Sequence, residues 1–463
     1  MLCCCGCEIE TRSMDKYILK YLFDNASNSD VRRMYDYLKN TVDYRFYSQG
    51  RHFTHSWDRY RTQNISMQNK PKWKRVFNKY KSYVQNLISK RRTGKPIVKR
   101  QLTLSTDTYN VLSIVNLPFE SREALQKCGI NCIYLNMNGE IEYDLPAAIA
   151  MSQYYRSIQH MTFAELISDE NINKLEVLYD DLAKELSLYA FDAVFVRSSE
   201  LFFEKIFIDI FKSHNKPSIT LLHGLPAFYT KATESRAEYL SVWGDKIRDA
   251  FIKVGYDPDK VIVAGNYKYA TILPVKELRC SKEDVLVLTT ETFEDSQHEW
   301  EYEKFSTHDR SLLITFIYSV EHVLKQNGIT HARLRPHPHV NKDWLKEYID
   351  LDFYTLDNDN MLSSLQKATM CIGPTSSTMI ESLMSGVSYM VYEPCDGQHT
   401  LAGDVLVPPF NKEYKNFKKA YNEEELSQLI QSRYVPDANM LLHDFLQPFN
   451  PLAIKKIIEK SKG

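Results

Sequence analysis

Two stretches of this 463-residue chain carry residues whose types and spacing could handle a phosphate. Arg335-Pro-His-Pro338 closes the apolar run Ala332-Arg-Leu334. Gly373-Pro-Thr-Ser-Ser-Thr-Met-Ile-Glu381 closes Met370-Cys-Ile372 and opens into an amphipathic helical pattern. A turn of this kind, starting at Gly373, offers the hydroxyls of Thr375, Ser376, Ser377 and Thr378. It adds unpaired backbone N–H groups and the positive end of a helix dipole. Arg335 would grip a phosphate or pair with a carboxylate, and the adjacent turn favours phosphate. His337 adds a ring that can donate to the same anion or pack on a base or sugar, with Pro338 beside it. The two stretches read as one half of a nucleotide-donor site.

Other residues could complete it. His223, in Leu221-Leu-His-Gly-Leu-Pro226, follows an apolar run directly and could take a proton from a sugar hydroxyl. The bland alternative is a buried imidazole satisfied by a carbonyl. Gly224, Gly244 and Gly265 each follow a strand-like run and would shape the floor of a cleft. Thr289 and Thr290 end another run, where Thr is also a common strand residue. Glu381 could receive a ribose, yet Thr378-Met-Ile-Glu381 is also a capping box. Glu200 reads as a helix-start charge and His339 as a solvated neighbour. Of two Asp-x-Asp spacings, Asp257-Pro-Asp259 precedes its strand, and Asp357-Asn-Asp359 looks like a turn capping a helix at Asn360. No metal site is expected from either.

The elements that must position these residues alternate. Apolar strand runs begin near Asn110, Asn131, Ala193, Ser218, Tyr239 and Val261. After an irregular stretch they restart near Asp284, Ala332, Phe353, Met370 and Tyr389, with helical patterns between them. This is the signature of parallel sheets with crossover helices. The expected class is α/β, with two Rossmann-like domains facing across a cleft and an α-helical basic N-terminal region. The expected divisions are 1–13, a cysteine-rich extension; 14–105, the basic helical region; 106–266, an acceptor domain; 267–283, a linker; and 284–463, a nucleotide-donor domain. Ligands of open α/β sheets bind beyond the carboxyl ends of the strands, where nearly all of these candidates lie.

Composition narrows the partners. With 43% hydrophobic and 25% charged residues the chain is an ordinary globular one, and its net charge of −1 gives no global argument for nucleic acid. No run of about eighteen apolar residues occurs. Cys3, Cys4, Cys5 and Cys7 lack the paired spacing of a zinc site, and the scattered remainder suits a reducing cytoplasm. From Ser66 to Gln101 there is no Asp or Glu, while lysines and arginines are frequent and Trp73, Phe77, Tyr80, Val84 and Leu87 recur at helical spacing. Residues 70–100 suit the anionic inner face of the plasma membrane or, equally, packing on the protein's own core.

The order of these motifs is His223-Gly, a Trp243-Gly turn, Val261-Ile-Val-Ala-Gly-Asn266, then Arg335-Pro-His-Pro and the Gly373–Glu381 helix start. It resembles glycosyltransferases of the two-Rossmann (GT-B) architecture that build bacterial capsule and lipopolysaccharide chains. The group contains CDP-glycerol glycerophosphotransferases, polysialyltransferases and Kdo transferases, and the resemblance spans roughly residues 107–410. It implies a soluble or peripheral cytoplasmic enzyme with no cofactor. The enzyme would move a sugar from a nucleotide donor, a CMP-sugar before a UDP-sugar, to a glycan or glycolipid acceptor. It implies that His337, Pro338, Ser376 and Ser377 hold the nucleotide and phosphate, and that His223 is the base of an inverting, metal-independent transfer. Sialyl-type relatives carry an acidic pair followed by Gly before the His-Pro element; here Glu294-Asp295-Ser296 lacks the Gly. A UDP-sugar 2-epimerase, a CDP-polyol phosphotransferase and a non-catalytic scaffold of a polysaccharide assembly complex are the alternatives.

Overall fold

The structure is a computed structural model. It describes residues 99–158, 169–197, 202–224, 237–269, 275–289, 310–340, 342–394 and 417–461, apart from 254, 276 and 339. Residues 14–98 of the basic helical region expected over 14–105, the cysteine-rich extension, Glu200, Thr290, Glu294-Asp295-Ser296 and His339 lie outside them. The described end of that region, 99–105, is not helical: the Arg100 N–H donates to the Glu142 carbonyl at 2.9 Å, and its carbonyl accepts from the Asp144 N–H at 2.9 Å, in an extended bridge beside Tyr143.

The apolar runs become two six-stranded sheets, each parallel throughout. The first contains β1 (Tyr109–Ser113), β2 (Ile130–Tyr134), β3 (Ala193–Val196), β4 (Ser218–Leu221), β5 (Tyr239–Val242) and β6 (Val261–Val263), ordered β2-β1-β3-β4-β5-β6. The second contains β7 (Val285–Leu288), β8 (Ala332–Arg335), β9 (Tyr354–Leu356), β10 (Met370–Gly373), β11 (Tyr389–Tyr392) and β12 (Lys419–Ala420), ordered β12-β11-β10-β7-β8-β9. Every residue of β3, β7, β10 and β11 is buried, because helices cover both faces of a parallel sheet and leave no polar side.

In the first unit α1 (Phe119–Lys127) follows β1. Next come α2 (Pro146–Ile158), α3 (Asp169–Ser187), α4 (Phe202–Ser213) and α5 (Asp245–Lys253). The second unit has α6 (Arg310–Gln326), α7 (Lys342–Lys346), α8 (Met361–Lys367), α9 (Thr378–Met384), α10 (Glu423–Gln431) and α11 (Ala438–Phe445); α12 (Pro451–Lys460) ends the chain. No helix among the described residues is long and apolar enough to cross a membrane.

The second sheet, counted in chain order, runs third, second, first, fourth, fifth, sixth, the order of a dinucleotide-binding Rossmann sheet. Its order reverses between β7 and β10. In the first sheet the reversal lies between β1 and β3. At such a point the connections leave to opposite faces and open a crevice outside the strands' carboxyl ends.

The expected division assigned residues 284–463 to one domain. The structure departs from it at the end of the chain, where Ile454, Ile457 and Ile458 of α12 share a buried cluster with Val111, Ala193, Phe195, Ile219 and Leu221 of the first sheet. Two segments join the units side by side. The Asn266 N–H donates to the Gln447 carbonyl at 3.1 Å, Phe449 N–H to Tyr269 at 3.0 Å and Asn450 N–H to Ala264 at 2.8 Å. Gly265 is required here: its φ is +72°, and a Cβ would overlap the Pro448 carbonyl oxygen. At Gly244 a Cβ would come 3.0 Å from the Phe445 backbone. These two glycines therefore receive the returning chain. Gly224 has open space around it.

Candidate functional site

Three strand ends meet at the switch point of the second sheet. Thr289, leaving β7, is nearly buried, and its Oγ1 accepts a hydrogen bond from the His337 backbone N–H at 3.0 Å. That bond ties the end of β7 to the turn after β8, which is half-buried at His337 and exposed at Pro338. On the other side of β7, β10 ends at Gly373. A Cβ there would overlap the Tyr389 hydroxyl and lie 3.1 Å from Leu288 Cβ, so the strand end can close only on glycine. The Tyr389 hydroxyl donates to the Pro374 carbonyl at 2.7 Å and holds the turn from beneath.

Thr375, Ser376, Ser377 and Thr378 form a half-buried run. Ser376 Oγ accepts from the Thr378 N–H at 3.2 Å and donates to Thr378 Oγ1 at 3.1 Å. Among the described residues the backbone N–H groups of Ser376 and Ser377 have no acceptor, and Thr375 Oγ1 is buried without a partner. The helix that follows is seven residues long, so hydroxyls and N–H groups, more than a long helix dipole, are what the turn offers.

Three sequence expectations change. The Thr375 N–H, expected to be open to a phosphate, donates instead to Glu393 Oε1. Glu393 is 2% exposed and leaves β11 directly. Sequence reasoning missed it, although its position after the apolar run Tyr389–Tyr392 is the same signal that singled out Thr289. Arg335, expected to favour phosphate, takes the carboxylate alternative. Its Nη1 lies 3.0 Å from Asp357 Oδ1 and 3.2 Å from Ser364 Oγ, and it donates to the Asp359 carbonyl at 2.5 Å. A buried carboxylate next to the strand needs a cation, and Arg335 is within reach. Glu381 forms no capping box: its Oε1 accepts from the Tyr269 hydroxyl at 3.3 Å, linking α9 to the segment that joins the units.

Asp357 is closed to a metal. Its carboxylate also pairs with Arg333 and accepts from Ser364 Oγ at 2.7 Å and from the Asp359 N–H at 3.1 Å. Burial opposes its ionisation, but the Ser364 hydrogen bond and the Arg333 charge hold its carboxyl below the usual range. Asn360 does cap α8, accepting from the Ser363 N–H at 2.9 Å, and Asp257 accepts from the Asp259 N–H at 2.9 Å in a local turn. No cluster of metal-binding side chains occurs among the described residues.

His223 lies on the first unit, at the carboxyl end of β4, and is exposed rather than buried. Its Nδ1 is 3.2 Å from the Arg197 carbonyl oxygen. A carbonyl only accepts, so this nitrogen carries the proton. The adjacent β5 is tied in by Trp243 Nε1, which donates to the Leu222 carbonyl at 2.6 Å. A continuous hydrophobic cluster runs from Leu222 and Trp243 of the first unit to Leu288, Met379 and Ile380 of the second, so the two carboxyl edges belong to one packed body.

No protein-family model and no curated protein matches the chain. Among solved structures it is similar to a UDP-GlcNAc 2-epimerase of Neisseria meningitidis bound to UDP-GlcNAc, at 13% identity and a TM-score of 0.41 over 76% of this chain and 98% of that one. It is similar to a glycosyltransferase of Rickettsia africae, at 13% identity and a TM-score of 0.43 over 77% and 98%. It is also similar to a variant of the wall teichoic acid polymerase TagF, at 12% identity and a TM-score of 0.40 over 78% and 89%. At TM-scores below 0.5 these likenesses carry no argument, and the fold rests on the two sheet orders.

Proposed function

We propose that the chain is a glycosyltransferase that takes a sugar from a nucleotide donor held by the second unit, and passes it to a hydroxyl of a glycan or glycolipid bound against the first. The observation that carries this reading is the Thr289–His337 hydrogen bond at the second sheet's switch point, beside the Thr375–Thr378 run. Among the described residues the N–H groups of Ser376 and Ser377 have no acceptor, and with the half-buried Ser377 side chain they suit phosphate oxygens. His337 suits the base or sugar. Glu381, already accepting from Tyr269, keeps acceptor capacity for a ribose hydroxyl.

In the transfer, Nε2 of His223 takes the proton of an acceptor hydroxyl as its oxygen attacks the anomeric carbon. The bond from that carbon to the nucleotide phosphate breaks, and the phosphate leaves with the electron pair. Donors fixed around the leaving phosphate oppose its developing charge. Attack from the face opposite the leaving group inverts the anomeric centre.

A thermal-shift screen with CMP, CDP, UDP and GDP tests the donor site, with stabilisation by one of them expected. Replacing His223 by Ala should abolish transfer and leave nucleotide affinity within about threefold of wild type. Retained turnover removes His223 from the mechanism. Incubation with UDP-GlcNAc alone separates the epimerase alternative, which needs no acceptor.

A further inference from the structure

Glu381 stands one helical turn behind Thr378, on the same side of α9 as the start of the helix that the proposed phosphate turn opens. Among the described residues its carboxylate has a single partner, the Tyr269 hydroxyl, 3.3 Å from Oε1, and it pairs with no cation. A carboxylate offers about four acceptor sites, so one bond leaves most of them open.

Tyr269 lies in the short turn that follows β6 and leads out of the first sheet, and it is held by its backbone and by its ring. Its N–H donates to the Asn266 carbonyl at 2.9 Å, and its own carbonyl accepts from the Phe449 N–H at 3.0 Å. Asn266, 1% exposed, closes the turn, its Oδ1 accepting from the Lys268 N–H at 2.9 Å. The Tyr269 ring packs against the cluster that contains Met379 and Ile380, on the same helix as Glu381. Backbone and ring being fixed, the hydroxyl is fixed with them. Burial, and then the Glu381 charge, push the phenol up, so it stays protonated and donates to the carboxylate.

The bond does more than satisfy a phenol. A carboxylate in the first turn of a helix ordinarily folds back toward the helix-start N–H groups or stays in water. Here it is drawn toward the joint between the units. The N–H groups of Ser376 and Ser377 are left without an acceptor among the described residues, and the second carboxylate oxygen is held to a narrow range of directions. We infer that Tyr269 is a positioning residue for the donor: by holding Oε1 it aims Oε2 of Glu381 at a ribose hydroxyl of the nucleotide seated on the Ser376–Ser377 turn. The segment that joins the two units then takes part in reading the nucleotide. The inference rests on the transferase reading for the identity of that ligand.

The test titrates the full chain by calorimetry with CMP, CDP, UDP and GDP, and with the 2′,3′-dideoxy form of each that binds. Wild type should bind one ribonucleotide about tenfold or more tightly than its dideoxy form. Tyr269→Phe should weaken that ribonucleotide by about fivefold or more and leave the dideoxy form within about twofold of wild type, so that the ratio shrinks. Glu381→Ala should itself lose most of the ratio. In that background Tyr269→Phe should change neither affinity by more than about twofold, because the hydroxyl acts only through the carboxylate. A tyrosine that merely supports the joint would lower the melting temperature and weaken both nucleotide forms alike, and that result overturns the inference. So does ribonucleotide affinity unchanged in Tyr269→Phe, or an equal loss with and without Glu381. Failure of wild type to bind any nucleotide sinks the transferase reading and this inference together, whereas nucleotide binding that ignores the ribose hydroxyls sinks this inference alone.

Discussion

Replacing Asp357 by Asn keeps the shape of the side chain and removes its charge. The carboxylate is 2% exposed and faces two guanidinium groups, Arg333 and Arg335, themselves only 15% and 19% exposed. Arg333 keeps Asp284 at 2.6 Å, whereas Arg335 keeps only neutral partners, Ser364 and the Asp359 carbonyl. Breaking a buried pair by removing one member costs about 3–5 kcal/mol. Because both arginines retain some water, the lower end applies, about 3 kcal/mol, or roughly 6–12 °C in the melting temperature of a unit of this size. The pH dependence has a definite sign. The folded carboxyl titrates below its unfolded value, so the stabilisation is complete above about pH 4 and is lost as pH falls through the depressed folded value. Melting followed by circular dichroism at pH 7 and in steps down to pH 2.5 should show a wide gap between wild type and variant that closes under acid. A gap below about 2 °C at pH 7, or one that does not narrow as the pH falls below about 4, refutes the account of this network.

Arg335→Ala should lower the melting temperature and leave nucleotide affinity within about threefold, because its Nη1 serves Asp357 rather than the donor turn. A loss of affinity beyond about tenfold at unchanged stability would return Arg335 to the phosphate. Gly265→Ala should destabilise the junction between the units by about 2–4 kcal/mol, one part from the left-handed φ and one from overlap with the Pro448 carbonyl; a melting temperature equal to wild type would contradict the junction as drawn.

The strands were the legible part of the fold. Ala193–Val196, Val285–Leu288 and Tyr389–Tyr392 are short apolar runs buried on both faces, and such runs mark their own ends by the polar residue that follows. For that reason Thr289, His337 and His223 were all found at strand ends. Partnerships were not legible. Asp357 lies 22 residues from Arg335, Glu393 lies 18 from Thr375, and Tyr269 lies 112 from Glu381, distances in sequence across which no local pattern operates. The return of α12 to the first sheet was equally hidden. The amphipathic pattern of its Ile454, Ile457 and Ile458 says that a face is buried but not against which sheet.

The most direct test of the donor site is calorimetric titration with CMP, CDP, UDP and GDP of wild type, Ser377→Ala, Thr289→Val and His223→Ala. One nucleotide should bind wild type and His223→Ala alike, and bind the Ser377 and Thr289 variants about tenfold more weakly, since each loses a hydroxyl at the β7–β10 switch point. Nucleotide affinity that is absent from wild type, or that is indifferent to both substitutions, would contradict the placement of the donor there.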